Sequence, residues 1–199
     1  MFSNDFLFLL PEFYMLCVAI LTALVGVFSY KESTRCLLHS FSFLLCMTLI
    51  LTALLILKSP TYDYCACLSE LNCTGLIVFF KILFIIFCFL IIIVSANDLL
   101  EERFYALEYF LFIYLMLFSS FFLMMASDFL LFYVILELQT LVAYIIVALK
   151  RFSSFSSESS LKYFMLGALS SGLFLFGVLF FYSFAGTLNY HEFKLFALG

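Results

Sequence analysis

The sequence predicts an all-α integral membrane protein of about six transmembrane helices. Three observations carry that expectation. Of its 199 residues 67% are hydrophobic and only 11% charged, where soluble domains carry about 25% charged residues. Its mean hydropathy is +1.24. Apolar runs long enough to cross a hydrocarbon core, about 20 residues each, recur along the chain.

The first span is expected from about Phe6 to Tyr30, with Pro11 and Glu12 suiting a helix start. The second runs from about Leu37 to Leu57 and the third from about Leu76 to Ser95, so that residues 1–95 hold three N-terminal helices. The fourth runs from about Tyr109 to Ala126 and the fifth from about Asp128 to Leu149. The sixth runs from about Ser159 to Phe184, with Ser157 as cap and Glu158 as an anion against its dipole. Residues 185–199 form a tail that is not a span, and its HEFKLF stretch suits a short amphipathic helix in the interface.

Charged loops set the expected orientation. With the N-terminus outside, Lys31, Arg35, Arg103, Lys150 and Arg151 fall on the inner side, as the positive-inside rule favours. Lys58, Lys194 and Lys81, the last at a helix entrance, then lie outside, and Asp128 is a solvated residue at the outer end of the fifth helix. Asp5 and Glu12 sit close to the start, unlike an Arg- and Ser-rich transit peptide, which suits synthesis beside the membrane in a bacterium or an organelle. Thirty Phe and no Trp suit a genome biased toward T.

Several functions are disfavoured. The net charge is −4 and no basic patch is present, so no nucleic-acid partner is expected. No Gly-rich phosphate loop, nucleophile elbow, or haem or iron–sulfur ligand cluster appears. Cys17, Cys46 and Cys88 lie in apolar runs, where Cys behaves as a small hydrophobe. Cys65, Cys67 and Cys73 share a loop but lack paired ligand spacing and a nearby His. A disulfide fits there, and chance cysteines are the blander reading. His39 and His191 read as solvated interface residues. No cofactor and no metal is expected in this chain.

The chemistry centres on Glu137, in the middle of the apolar stretch FLLFYVILELQTLVAYIIVAL. A carboxylate at such a depth costs roughly 3 kcal/mol on insertion scales, and intramembrane acids mark proton or ion pathways. Tyr133, Thr140 and Tyr144 share its helical face, and this stripe either hydrates and orients the acid or is ordinary packing. Lys162, in the next span, is the second candidate, either in a proton relay or snorkelling to the interface. An antiparallel hairpin around SSFSS leaves the two about 10 Å apart in depth, too far for direct pairing. Gly167, Ala168, Ser171 and Gly172 make two small-xxx-small pairs for close helix approach.

The stretch YVILELQTLVAYIIVALKRFSSFSSESSLKYFMLGALSSGLFLFGVLFFYSFAGTL resembles the subunit 2 family of NADH:ubiquinone oxidoreductase, respiratory complex I, an antiporter-like family. The order ELQTL, KR, then S-E-x-x-LKYF-x-LGA-x-SSG carries the likeness, and FLFLLPEFYML at the start is similar to organellar members. The resemblance implies helices in inverted repeats, with residues 109–184 the start of the first antiporter-like repeat. It implies that Glu137 and Lys162 match the family's intramembrane glutamate and lysine in proton translocation, with no redox chemistry in this chain. Other membrane subunits of complex I and a mitochondrial inner membrane follow as expected surroundings. The family's later lysine-bearing helices are not in these residues, so either a second chain supplies them, as in a split subunit, or the sequence is a fragment; the clean apolar pattern up to its end favours the split subunit. A cation/proton antiporter subunit and a structural membrane subunit with a non-conducting path stand as alternatives.

Overall fold

The computed structural model describes residues 9–28, 35–58, 75–99, 106–150 and 152–198. Helices account for nearly all of them: α1 (Leu10–Phe28), α2 (Arg35–Lys58), α3 (Gly75–Leu99), α4 (Ala106–Met125), α5 (Phe129–Val147), α6 (Ser154–Ala185) and α7 (Tyr190–Leu198). The first six fall on the six expected spans, and α7 forms in the tail. Four of the six are long and apolar enough to cross a membrane, and two shorter apolar helices, Leu10–Val25 and Ser42–Lys58, accompany them. Cys65, Cys67, Cys73, Lys31, Arg103 and Arg151 lie outside the described residues, as do the side chains of Arg35, His39 and His191.

Helix α4 is the hub, packed against α1, α3 and α5, while α2 lies against α1 and α3. Its span is 44% buried, whereas that of α6, which rests on α5, is 6% buried. Peripheral helices turn large apolar side chains outward, among them Phe43, Val94, Leu166 and Phe184. A contiguous apolar exterior of this kind is matched to lipid rather than water. The interior is a cluster joining Met15 of α1, Leu45 and Leu49 of α2, Ile85 of α3 and Tyr114 and Phe121 of α4.

Two ends of the bundle can be told apart. One carries the α4–α5 junction at Asp128. There, Phe129 N–H donates to the Leu188 carbonyl (3.1 Å) and Tyr190 N–H to that of Ser127 (3.0 Å), an antiparallel bridge between Asp128 and Asn189. Gly186, which ends α6, makes the return possible. Its φ of 71° is left-handed and its N–H closes on the Tyr182 carbonyl, a stop that glycine adopts without steric cost. Phe129 then stacks on Phe181 and meets Tyr190 edge-on at 4.5 Å. Burial, and then the Asp128 carboxylate, push the Tyr190 phenol up from its ordinary value.

The opposite end holds the α5–α6 turn, and it corrects an expectation. The cap is Ser153, whose hydroxyl accepts from Ser156 N–H, and α6 begins at Ser154, one turn before Ser157. Ser157 is therefore inside the helix, its hydroxyl bonded to the Ser154 carbonyl, and no acid occupies the first turn. The serine-rich turn offers several competent caps. Ser156 also donates to the Val147 carbonyl at 2.8 Å, a tie to the end of α5 that accompanies the earlier start.

Candidate intramembrane charge sites

Glu137 lies eight residues after Phe129 and ten before Val147, at mid-depth of α5. Its side chain is half-buried, and its Oε2 is sealed from solvent without a hydrogen-bond partner. A buried acceptor in that condition is costly unless a proton, water or donor reaches it. The polar stripe does not supply one. Thr140 spends its hydroxyl hydrogen on the Glu137 backbone carbonyl at 2.9 Å. Tyr133 stacks on Phe174 of α6, and Tyr144 packs edge-on against Tyr163 and Phe164. Of the two readings of this face, packing is the one the structure favours: its members serve backbone and aromatic contacts. Two residues on, Gln139 turns with Ser120 into a mainly apolar cavity of about 310 Å³ between α3, α4 and α5.

Ring contacts fix the register of α5 against α6. Tyr133 is level with Phe174, and Tyr144 with Tyr163 and Phe164. Glu137, one turn from Tyr133, is then level with about Ser171, nine residues from Lys162, so the two charges differ in depth by about 13 Å. Direct pairing is ruled out, as expected. Lys162 instead joins Glu158 at 2.6 Å along the outward face of α6, with both side chains exposed, 71% and 62%.

The small residues of α6 divide. A Cβ on Gly167 would overlap the Tyr144 ring and hydroxyl, whereas one on Gly172 meets nothing within 4 Å. Ser171 is buried. The 167/171 pair therefore faces α5, and the 168/172 pair does not. Gly167→Ala is expected to destabilise the α5–α6 hairpin by about 1–3 kcal/mol through overpacking. Gly172→Ala should be neutral, and thermal unfolding of the two variants side by side checks this.

A second charge site was missed by sequence reasoning. Glu12 is 1% exposed and Lys81 2%, and Lys81 Nζ donates to Glu12 Oε1 at 2.5 Å. The same ammonium lies 3.0 Å from Met125 Sδ and 5.7 Å from the centre of the Phe121 ring. Glu12 stands in the first turn of α1 as expected, but sealed inside the bundle, and Lys81, six residues into α3, is buried rather than an entrance residue. Helix α1 meets the end of α4 where α3 does, so the two side chains close on each other inside the bundle. One signal was available: opposite charges in otherwise apolar runs, both placed near the same face by the orientation argument. Among the described residues no group of His, Cys, Asp and Glu could hold a metal.

Residues 126–198 match the family model described as NADH:quinone oxidoreductase/Mrp antiporter, transmembrane. NADH-ubiquinone oxidoreductase chain 2 of Marchantia polymorpha is 33% identical over 196 residues, covering 96% of this chain and 40% of the relative. The chain is homologous to chain 2 of NADH-ubiquinone oxidoreductase. Its bacterial counterpart is also similar: NADH-quinone oxidoreductase subunit N of Pelagibacter ubique is 31% identical over 189 residues, 92% of this chain and 38% of that one. The chain thus spans about 40% of the length of these relatives.

Solved structures show the same fold. A chain of respiratory complex I from Thermus thermophilus, solved with bound aureothin, superposes with a TM-score of 0.69 at 20% identity, over 90% of this chain and 38% of that one. A chain of an archaeal respiratory complex, the membrane-bound sulfane sulfur reductase, does so with a TM-score of 0.65 at 19% identity. The match covers 97% of this chain and 39% of that one. This homologue of chain 2 therefore shares its helical fold with the matched chain of each complex.

Proposed function

We propose that this chain is the N-terminal part of an antiporter-like membrane subunit of proton-pumping NADH:ubiquinone oxidoreductase, in the mitochondrial inner membrane. It contributes part of a proton path and performs no redox chemistry of its own. The observation that carries this is Glu137: an acid at mid-membrane depth with one oxygen sealed and unpartnered. An approaching cation favours the charged form of such an acid, and its withdrawal the neutral form. Proton binding and release can therefore follow the movement of a basic partner. Lys162, well removed in depth and outward-facing, suits a field-tuning or relay role rather than that of the direct partner. The thinly covered α6 suits coverage by the family's later helices, in this reading carried on a second chain, with other membrane subunits of the complex beyond. Similarity to both a plant chain 2 and bacterial subunits N supports a respiratory setting.

The test is Glu137→Gln in the assembled complex, reconstituted in sealed vesicles. Proton transfer through this subunit is expected to slow by about 10²-fold or more, so that fewer protons move per NADH oxidised while quinone reduction persists. An unchanged ratio would favour a structural role. The family description also names Mrp antiporters, and a sodium-dependent proton flux without NADH would favour that second reading.

A further inference from the structure

The Glu12–Lys81 pair stands apart from Glu137, on other helices and nearer the Asp128 end, and it has the features of a site in its own right. Both side chains are essentially inaccessible, 3% for Lys81 and 1% for Glu12. One carboxylate oxygen takes the ammonium hydrogen bond, while Glu12 Oε2 is buried with no hydrogen-bond partner. An ionised carboxylate has two acceptor oxygens to satisfy, and in a low-dielectric interior an unused one is a strong attractor for a proton.

A purely structural pair explains this poorly. Replacing a buried ion pair by well-packed apolar residues is often neutral or stabilising, and Met125 and Phe121 beside the ammonium are already apolar. The contacts around Lys81 also bear on exchange. Met125 Sδ and the Phe121 ring are a soft acceptor and an aromatic face, both able to hold an ammonium after its carboxylate partner becomes neutral. Both residues belong to the last two turns of α4, which leads through Ala126–Asp128 into α5 and Glu137. Other described charges at this end are Lys58, closing α2, Asp128 itself, and Glu192 and Lys194 of α7, while Glu108 lies at the far end of α4.

We propose that Glu12 is a second intramembrane proton-binding site, with Lys81 as its resident counter-charge. A proton from water at the Asp128 end binds Oε2 and forms one O–H bond. Glu12 becomes neutral, the pair changes from net zero to net +1, and Lys81 remains against Phe121 and Met125. Release of the same proton restores the ion pair, so no oxidant or further reactant is needed. The site's part in pumping rests on the proton-conducting reading above; its capacity to bind a proton does not.

The experiment uses the assembled complex in vesicles. Glu12→Gln/Lys81→Met removes both charges of the pair together, so that neither is stranded without the other. Expected are normal assembly, continued NADH oxidation and a loss of protons moved per NADH. A wild-type ratio in this assembled variant would overturn the site's part in pumping. Glu137→Gln is measured beside it, because an unchanged ratio there sinks the general reading and says nothing against Glu12. Infrared difference spectra taken through turnover read the protonation directly. A carboxylic-acid carbonyl band should be present in the unaltered complex, shift in Glu12→Asp and vanish in the double variant. A band that neither shifts nor vanishes, or no band at all in the unaltered complex, refutes the assignment. If the double variant assembles poorly, the conservative Glu12→Asp alone still decides between a shifted band and an unmoved one.

Discussion

Lys81→Met is expected to lose about 3–5 kcal/mol of stability, because it strands the Glu12 carboxylate inside the bundle without its counter-charge. The ammonium lies 2.5 Å from Glu12 Oε1, and methionine offers an unbranched chain one atom shorter with nothing to donate. Glu12 would be left with two buried oxygens in want of a partner instead of one. The loss should appear as reduced assembly and a lowered midpoint when the purified complex is heated. The companion change decides the mechanism. Adding Glu12→Gln removes the stranded charge and should return most of the stability, although each single change alone is damaging. If Lys81→Met unfolds no more easily than the unaltered protein, the pair is not sealed as the geometry has it.

The second large effect falls on the hub. Tyr114 of α4 is fully buried, donates to the Leu45 carbonyl at 2.7 Å and shares a hydrogen bond with Thr48 of α2. Tyr114→Ala should cost about 3 kcal/mol, the lower part of the aromatic-to-alanine range. Helices in lipid are held by packing and hydrogen bonds more than by dehydration, so the cavity matters more than the area removed from water. Tyr114→Phe keeps the ring and gives up only the hydroxyl, and a loss of about 1 kcal/mol is expected. The Leu45 carbonyl would still accept from Thr48. Thermal unfolding of the two variants should therefore rank them clearly, alanine well below phenylalanine.

How far these features were legible differs from one residue to the next. The six spans were readable because hydrocarbon thickness imposes a length that hydropathy reveals directly. Glu137 was readable for the same reason, since mid-span depth needs only counting. The Gly167 contact was half-readable: small spacing marked two pairs, and only the geometry showed that Tyr144 selects one. The Glu12–Lys81 pair was not recovered, for a physical reason. Membrane helices are apolar on every side, so no amphipathic stripe tells which face of α1 looks toward α3. A charge a few residues inside a span also looks the same on paper whether it snorkels or pairs. The cap at Ser153 was missed because neighbouring serines are chemically equivalent and a hydrogen bond to α5 accompanies the one that is used. The stripe of Tyr133, Thr140 and Tyr144 shared a face with Glu137 as expected, yet a shared face is not a shared hydrogen bond.

The main-chain bridge between Ser127–Phe129 and Leu188–Tyr190 has a mechanical consequence. Because the two bonds join peptide groups, the joint does not depend on which side chains occupy those positions. A sideways push on the C-terminal helix is delivered straight to the first turn of the helix bearing Glu137, with no slack from rotating side chains. Whatever neighbour seats itself against that tail in the membrane gains a grip on the mid-depth acid from about 12 Å away along the helix axis.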